Sequence, residues 1–306
     1  MNILVIYFTQ SGQLKDILDN LVKDIKDEAI IDFAEIKLEK PFPFPWTATS
    51  FFDAMPECVL QIPSPIIPMP ELASKQYDLI IFGYQPWFLS PSNPANSFLK
   101  SEWAKVLKGK PVITVIGSRN MWLNAQEKVK EDFERLGATH VGNIVLEDKH
   151  PNMVSTLTII RWLFKGQKKA SKRLPDAGVS DADIAATQQY GLPILNHFKE
   201  NNLASLQATL LQKGAINLRP GLIVLEKRGV SQFPKWAKRA RGKGEPGNPE
   251  RMKVIKTFQR LLMTAIFVLS PITNLVAKIQ TALKMKQLMK EVAYFKGVQF
   301  EPGKLK

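Results

Sequence analysis

Apolar residues fall along the first half of this chain in two alternating rhythms. Unbroken apolar runs at Ile3–Phe8, Tyr77–Tyr84 and Pro111–Gly117 have the character of strands buried on both faces. Ala29–Leu38 and His140–Glu147 read as two further strands. Between them the spacing changes to that of amphipathic helices. Leu14, Ile17, Leu18, Leu21, Val22 and Ile25 predict a helix over about Leu14–Lys26. Ala95–Leu107 predicts another, and Val129, Phe133 and Leu136 before a capping Gly137 predict a third. Ser180 with Asp183 forms a capping box for a helix running towards Tyr190. Strand alternating with helix five times predicts an α/β fold with a doubly wound parallel sheet.

Two stretches interrupt this rhythm. Residues 41–70 hold eight prolines, a density that excludes a regular helix or a central strand and leaves only Ser50–Met55 as a helical turn. Phe42, Phe44, Trp46, Phe51 and Phe52 make the stretch too apolar for a solvated linker, so it is expected to pack on the domain, with or without walling a ligand pocket. Residues 151–179 are longer than the connection requires and contain an apolar segment, Met153–Phe164. From Leu203 the plan is lost: a short helix (Leu203–Lys213), an edge strand (Gly221–Glu226) and a mobile basic loop (Trp236–Pro249) are expected. The uncharged segment Leu261–Ala277, interrupted by Pro271, then precedes a final amphipathic helix with Ile279, Leu283, Leu288 and Val292 opposite Lys284, Lys286 and Lys290. The chain therefore divides into residues 1–200 and a mainly helical extension, 201–306.

Charge sharpens that division. Of the net +14, residues 1–200 contribute −1 and residues 201–306 contribute +15. A basic extension around a short apolar segment reads as docking at a membrane interface or as a buried helical hairpin. Nucleic-acid binding is the weaker reading, because no recognition module accompanies the charge. Met1–Phe8 enters a strand with no basic leader, and the single Cys58 suits a reducing compartment, so a cytoplasmic location is expected, peripheral at the inner membrane if the extension docks.

In a doubly wound sheet, ligands bind beyond the carboxyl ends of the strands. Three loops converge there: Thr9–Gln13, Gln85–Ser92 and Ser118–Trp122. The first, strand to hydroxyl-and-glycine turn to helix, aims backbone N–H groups at an anion, although the same residues also suit an ordinary turn. Trp87 and Phe88 suit a flat ring, or simple aromatic packing. His150, just after the fifth strand, is the general-base candidate, and Arg119 a candidate for stabilising an enolate. His140 and His197 read as structural. Cys58, beside Glu57 and without a neighbouring histidine, makes a poor nucleophile, and no metal-ligand spacing is present.

Thr-x-Ser-Gly-x at the end of the first strand resembles the phosphate loop of flavodoxins. Together, VIYFTQSGQL, PFPFPWTATSFFDAMPE and TVIGSRNMW resemble the flavodoxin-like proteins of dialkylresorcinol (flexirubin) biosynthesis, DarA-type, often labelled condensing enzymes. The resemblance implies a flavodoxin-like sheet of order 2-1-3-4-5 and FMN as cofactor. The phosphate would lie on Thr9, Gln10, Ser11, Gly12, Gln13 and Leu14, although Leu14 stands where flavodoxins usually place a further hydroxyl. The ring would lie along Gln85, Pro86, Trp87 and Phe88, and its pyrimidine edge against Ser118, Arg119, Asn120 and Trp122. The family further implies FMN-dependent aromatisation of a lipid-like 2,5-dialkylcyclohexane-1,3-dione to a dialkylresorcinol, with a ketosynthase as pathway partner. An NAD(P)H-dependent quinone or nitro reductase and a membrane-associated electron carrier are the alternatives on the same fold. The oligomeric state stays open, a homodimer included.

Overall fold

The computed structural model describes residues 1–305, with the side chains of residues 270–275, and so Pro271, outside the described residues. Five parallel strands form the central sheet: β1 (Asn2–Tyr7), β2 (Ile30–Glu35), β3 (Leu79–Tyr84), β4 (Pro111–Ser118) and β5 (Thr139–Glu147). Their order is β2-β1-β3-β4-β5, as expected, with one register shift between Val112 and Ile113 where β4 meets β5. Alternation along each strand sends side chains to two cores. Leu4, Ile6, Ile80, Phe82 and Val112 face helices α4 (Asn93–Lys100) and α5 (Leu123–Leu136). Ile3, Val5, Leu79, Ile81 and Val115 face α1 (Gln13–Leu21) and the later helices α7 (Asp181–Ala186), α8 (Gly191–Lys199) and α9 (Leu206–Gln212).

The interruptions fold more regularly than their composition suggests. The proline-rich stretch contains two short helices, α2 (Ala48–Asp53) and α3 (Met55–Leu60). Thr47 and Ser50 cap α2 reciprocally, and Pro56 falls in the first turn of α3, where a missing N–H costs nothing. The helix expected over Ala95–Leu107 splits at Ser101 into α4 and a 3₁₀ segment. The apolar segment Met153–Phe164 lies within α6 (Asn152–Lys165).

The extension requires two corrections. Gly221–Glu226 is not an edge strand; it opens helix α10 (Pro220–Arg241), with Pro220 in the first turn. Leu222, Ile223 and Glu226 are buried at helical spacing, so a β-like run of residues is bound into a helix by packing on the sheet's core. The loop expected from Trp236 begins only after Arg241, because Trp236–Arg241 completes α10. Helices α11 (Pro249–Phe267), α12 (Ser270–Leu283) and α13 (Met285–Lys296) follow. The segment Leu261–Ala277 is thus divided between α11 and α12 by a turn at Val268–Leu269. Among the described residues no helix is long and apolar enough to cross a membrane. Ile216, Leu218, Val292 and Phe295 of the extension share the core that covers one face of the sheet.

A further core joins the proline-rich stretch to the extension: Phe52, Met55 and Val59 pack against Ala237, Ala240, Ile255 and Phe258. Arg251 locks this joint. Its guanidinium is fully buried and donates to Asp53 Oδ1 at 2.7 Å, to Glu57 Oε1 and Oε2 at 2.7 and 2.6 Å, and to the Asp53 carbonyl at 2.6 Å. Removing one partner of such a cluster strands the other charges in a dry site. Arg251→Met is expected to lower unfolding free energy by about 3–5 kcal/mol, measured by urea denaturation. A loss below about 1 kcal/mol would place the pair among weak surface bridges instead.

Candidate functional site

The loop after β3 turns back on itself as a two-residue hairpin pairing Pro86 with Pro91 and Trp87 with Ser90. Its central residues, Phe88 and Leu89, both have positive φ (50° and 59°), as a type I′ turn requires and as Asn-Gly ordinarily supplies. Side chains in that region cost energy, so the surroundings must hold the turn. Phe88 packs on Phe51 at 4.7 Å between ring centres and lies 6.2 Å from Phe52. The Leu89 carbonyl accepts from Asn124 Nδ2 at 2.6 Å, and Ser90 Oγ accepts from Lys128 Nζ at 2.9 Å. Leu89 meets α10 at Gly229, where a Cβ would lie only 2.4 Å from Leu89 Cδ1. Glycine there is what lets α10 approach the hairpin.

At the carboxyl end of the sheet the three loops and both interruptions enclose a cleft of about 210 Å³. Gln10, Ser11 and Gln13 line it from the first loop, Gln85 to Phe88 from the second, and Gly117 to Arg119 from the third. Phe44, Trp46 and Phe51 line it from the proline-rich stretch, and Ile159, Trp162 and Leu163 from α6. The two interruptions meet directly: Trp46 N–H donates to the Leu163 carbonyl at 2.8 Å, and Phe44 packs edge-on to Trp162. The proline-rich wall was foreseeable from its aromatics. Trp162 and Ile159 carried no signal beyond the apolarity of Met153–Phe164.

The first loop has the geometry of an anion site. Gly12, with φ 87°, caps α1 without a side-chain bond, leaving the N–H groups of the first turn for a ligand. The Gln10 side chain is tied to the proline-rich stretch, donating to the Pro43 carbonyl at 3.1 Å. Gln13 is bound both ways to Val179, with Nε2 donating at 3.0 Å and Oε1 accepting at 3.2 Å. Leu14 is buried in the core beneath the sheet, so its side chain replaces no hydroxyl at this site. Trp122 does not line the cleft: it is buried in the opposite core, donating to Glu147 Oε1 at 2.9 Å.

Five buried polar atoms have no partner among the described residues: Trp46 Nε1, Gln85 Oε1 and Ser118 Oγ on residues that line this cleft, and Thr9 Oγ1 and Asn120 Oδ1 on the same loops. Buried polar groups are ordinarily paired. Other orphaned atoms occur in and beside α4, but these five span all three predicted loops and the added wall. Donors and acceptors of both kinds, beside Trp87 and Phe88, fit the heteroatom edge of a flavin.

Arg119 lines the cleft with no carboxylate paired to it among the described residues. It donates to Asn152 Oδ1 at 2.7 Å and Thr156 Oγ1 at 3.0 Å, and burial lowers its pKa against the opposing pull of Asp148. His150 is not among the lining residues; its Nδ1 rests on Asp148 Oδ1 at 2.7 Å. Asp148 is buried and also accepts from Ser155 Oγ at 2.7 Å. Cys58 is fully buried, which pushes its thiol up to about 12 and leaves it unsuited to thiolate chemistry. His140, held between Thr114 and the Val298 carbonyl, is driven down to about 3 by burial.

The third loop is anchored by a residue that the sequence did not single out. Trp122 offers α5 no side-chain cap, and Glu226 of α10 takes that place, accepting from Asn124 N–H at 2.8 Å. Burial raises Glu226 from 4.5 to about 7, and burial raises Glu147 to about 7 as well. Both carboxyls then keep protons in the folded chain that the unfolded chain has released. Stability is therefore expected to fall as pH rises from about 4.5 to about 7. Glu226→Gln should flatten that fall, read from urea midpoints across the range; parallel curves for the two proteins would contradict it.

No family model matches the chain, and no curated protein matches it. Among solved structures, a flavoprotein in complex with FMN from Lactobacillus acidophilus is 19% identical, over 47% of this chain and 92% of its own, with a TM-score of 0.37. An archaeal flavodoxin is 15% identical over 65% of this chain and 99% of its own (TM-score 0.38). A WrbA-like flavodoxin from Agrobacterium tumefaciens is 14% identical over 65% and 98% (TM-score 0.35). The hydrogen-bonded strand order itself makes the core of this chain a flavodoxin-like α/β fold.

Proposed function

We propose that the chain is an FMN-dependent oxidoreductase that converts a 2,5-dialkylcyclohexane-1,3-dione to a dialkylresorcinol. The observation that carries the flavin is the set of unpaired buried polar atoms on three loops beside Trp87 and Phe88. The enclosed volume, about 210 Å³, is below the roughly 300–1,000 Å³ of common small-molecule sites, so only part of a mononucleotide would be enclosed. The exposed Gly12 turn is where the phosphate would lie. Bound FMN would supply the two-electron acceptance that such an aromatisation needs.

The remaining roles belong to the protein. Arg119 supplies an unpaired cation for an enolate, and Asn152 and Thr156 fix its guanidinium. His150 stands outside the cleft lining with its Nδ1 on Asp148, and the role of base is assigned to it on its place just after β5. A second cavity of about 480 Å³ is lined by Leu222, Leu225, Ala277 and Met285, and by Asn120 and Asn152 of the Arg119 loop region. An apolar cavity sharing that wall suits an alkyl chain on the substrate.

Anaerobic mixing of FMN-loaded protein with a dialkylcyclohexanedione tests this reading. Loss of the yellow flavin absorbance with formation of the resorcinol is the expected result, and His150→Gln should slow it by about a hundredfold or more. Bleaching by NAD(P)H but not by the dione would make the chain a quinone or nitro reductase instead. A stable one-electron form with no turnover of either would make it an electron carrier.

A further inference from the structure

We propose that the face formed by α11–α13 docks on an anionic lipid bilayer. On α12, Val276, Ile279 and Leu283 recur at i, i+3 and i+7, and Ile279 and Leu283 are 52% and 80% exposed. The adjoining side of the same helix is spent on the protein: Ala277 is buried, and Gln280 Oε1 accepts from Arg228 of α10 at 2.7 Å. The turn before α12 adds Val268, 64% exposed, and Leu269. Large apolar residues left in water on one stripe and its adjoining turn mark an interaction surface rather than scattered exposure.

Charge selects the occupant. Residues 251–290 contain eight Lys and Arg and no Asp or Glu. Arg251 and Lys253 are paired with carboxylates outside that span. Lys256, Arg260, Lys278, Lys284, Lys286 and Lys290 are exposed and form no ion pair among the described residues. A second copy meeting this face about a two-fold axis would set the same unpaired cations against themselves. A nucleic acid would use the cations and leave the apolar stripe in water. An anionic bilayer takes both, with apolar side chains entering the acyl boundary and ammonium groups remaining at the phosphates. Among the described residues no helix is both long and apolar enough to cross, so these helices lie in the interface.

This surface is separate from the flavin cleft, and its test needs no cofactor. The full chain is sedimented with phosphatidylcholine vesicles and with phosphatidylcholine–phosphatidylglycerol vesicles. Binding is expected to the mixed vesicles alone and to weaken as salt rises. Ile279→Glu with Leu283→Glu should cut the bound fraction at least about tenfold, and Lys284→Gln with Lys286→Gln and Lys290→Gln should also lower it. Circular dichroism equal to that of the parent confirms that these surface variants fold. Failure of the parent chain to bind, or binding unaffected by the glutamates, overturns the proposal. So does a solution dimer that the glutamates convert to monomer.

Discussion

The turn at Phe88–Leu89 is the constraint on which the rest of the site depends. Two residues with bulky side chains occupy backbone conformations that favour glycine, and the support within the loop is slight: a two-residue ladder and a long bond of 3.5 Å from Ser90 Oγ to the Phe88 carbonyl. Compensation arrives from distant parts of the chain. Phe51 covers Phe88 from the proline-rich stretch, Asn124 holds the Leu89 carbonyl from α5, and α10 closes on Leu89 through Gly229. The hairpin keeps its shape only while these elements are in place. Trp87, which it carries, forms the centre of an aromatic cluster with Phe8, Phe42 and Trp46.

The basic extension therefore belongs to the site as well as to the surface. Through Arg251 it grips Asp53 and Glu57, beside Phe51 and Phe52. Through Glu226 it caps α5 and steadies the third loop. Its outer helices leave an apolar, acid-free face in water. A flavodoxin-like sheet supplies the platform, the two interruptions give the cleft its walls, and the extension braces the proline-rich wall and the third loop from behind.

Much of this was legible in the sequence where the signal is local. Buried parallel strands need unbroken apolar runs, and Ile3–Phe8, Tyr77–Tyr84 and Pro111–Gly117 are such runs; strand order and loop placement then follow from chain connectivity. What escaped reading was set by contacts distant in sequence. Gly221–Glu226 looks like a strand because Gly-Leu-Ile-Val-Leu has β character, and only packing on the sheet's core makes it helix. Gly229 and Pro234 within α10 disguise the helix further, although Leu222, Ile223 and Glu226 already stand at helical spacing. Arg251 meets its carboxylates almost two hundred positions away, a pairing that no local pattern announces. Gln10, Gln13, Leu14 and Trp122 fall near the expected place, but their side chains are committed to the protein itself.

The central claim is that Thr9–Gln13, Gln85–Phe88 and Ser118–Asn120 form one cradle for a phosphorylated flavin. Parallel titrations of the purified chain with FMN and with riboflavin, followed by quenching of flavin fluorescence, test it most directly. The account predicts saturable binding of both ring systems, with FMN held at least about tenfold more tightly because only its phosphate reaches the Gly12 turn. Absence of binding, or equal affinity for the two flavins, would contradict it.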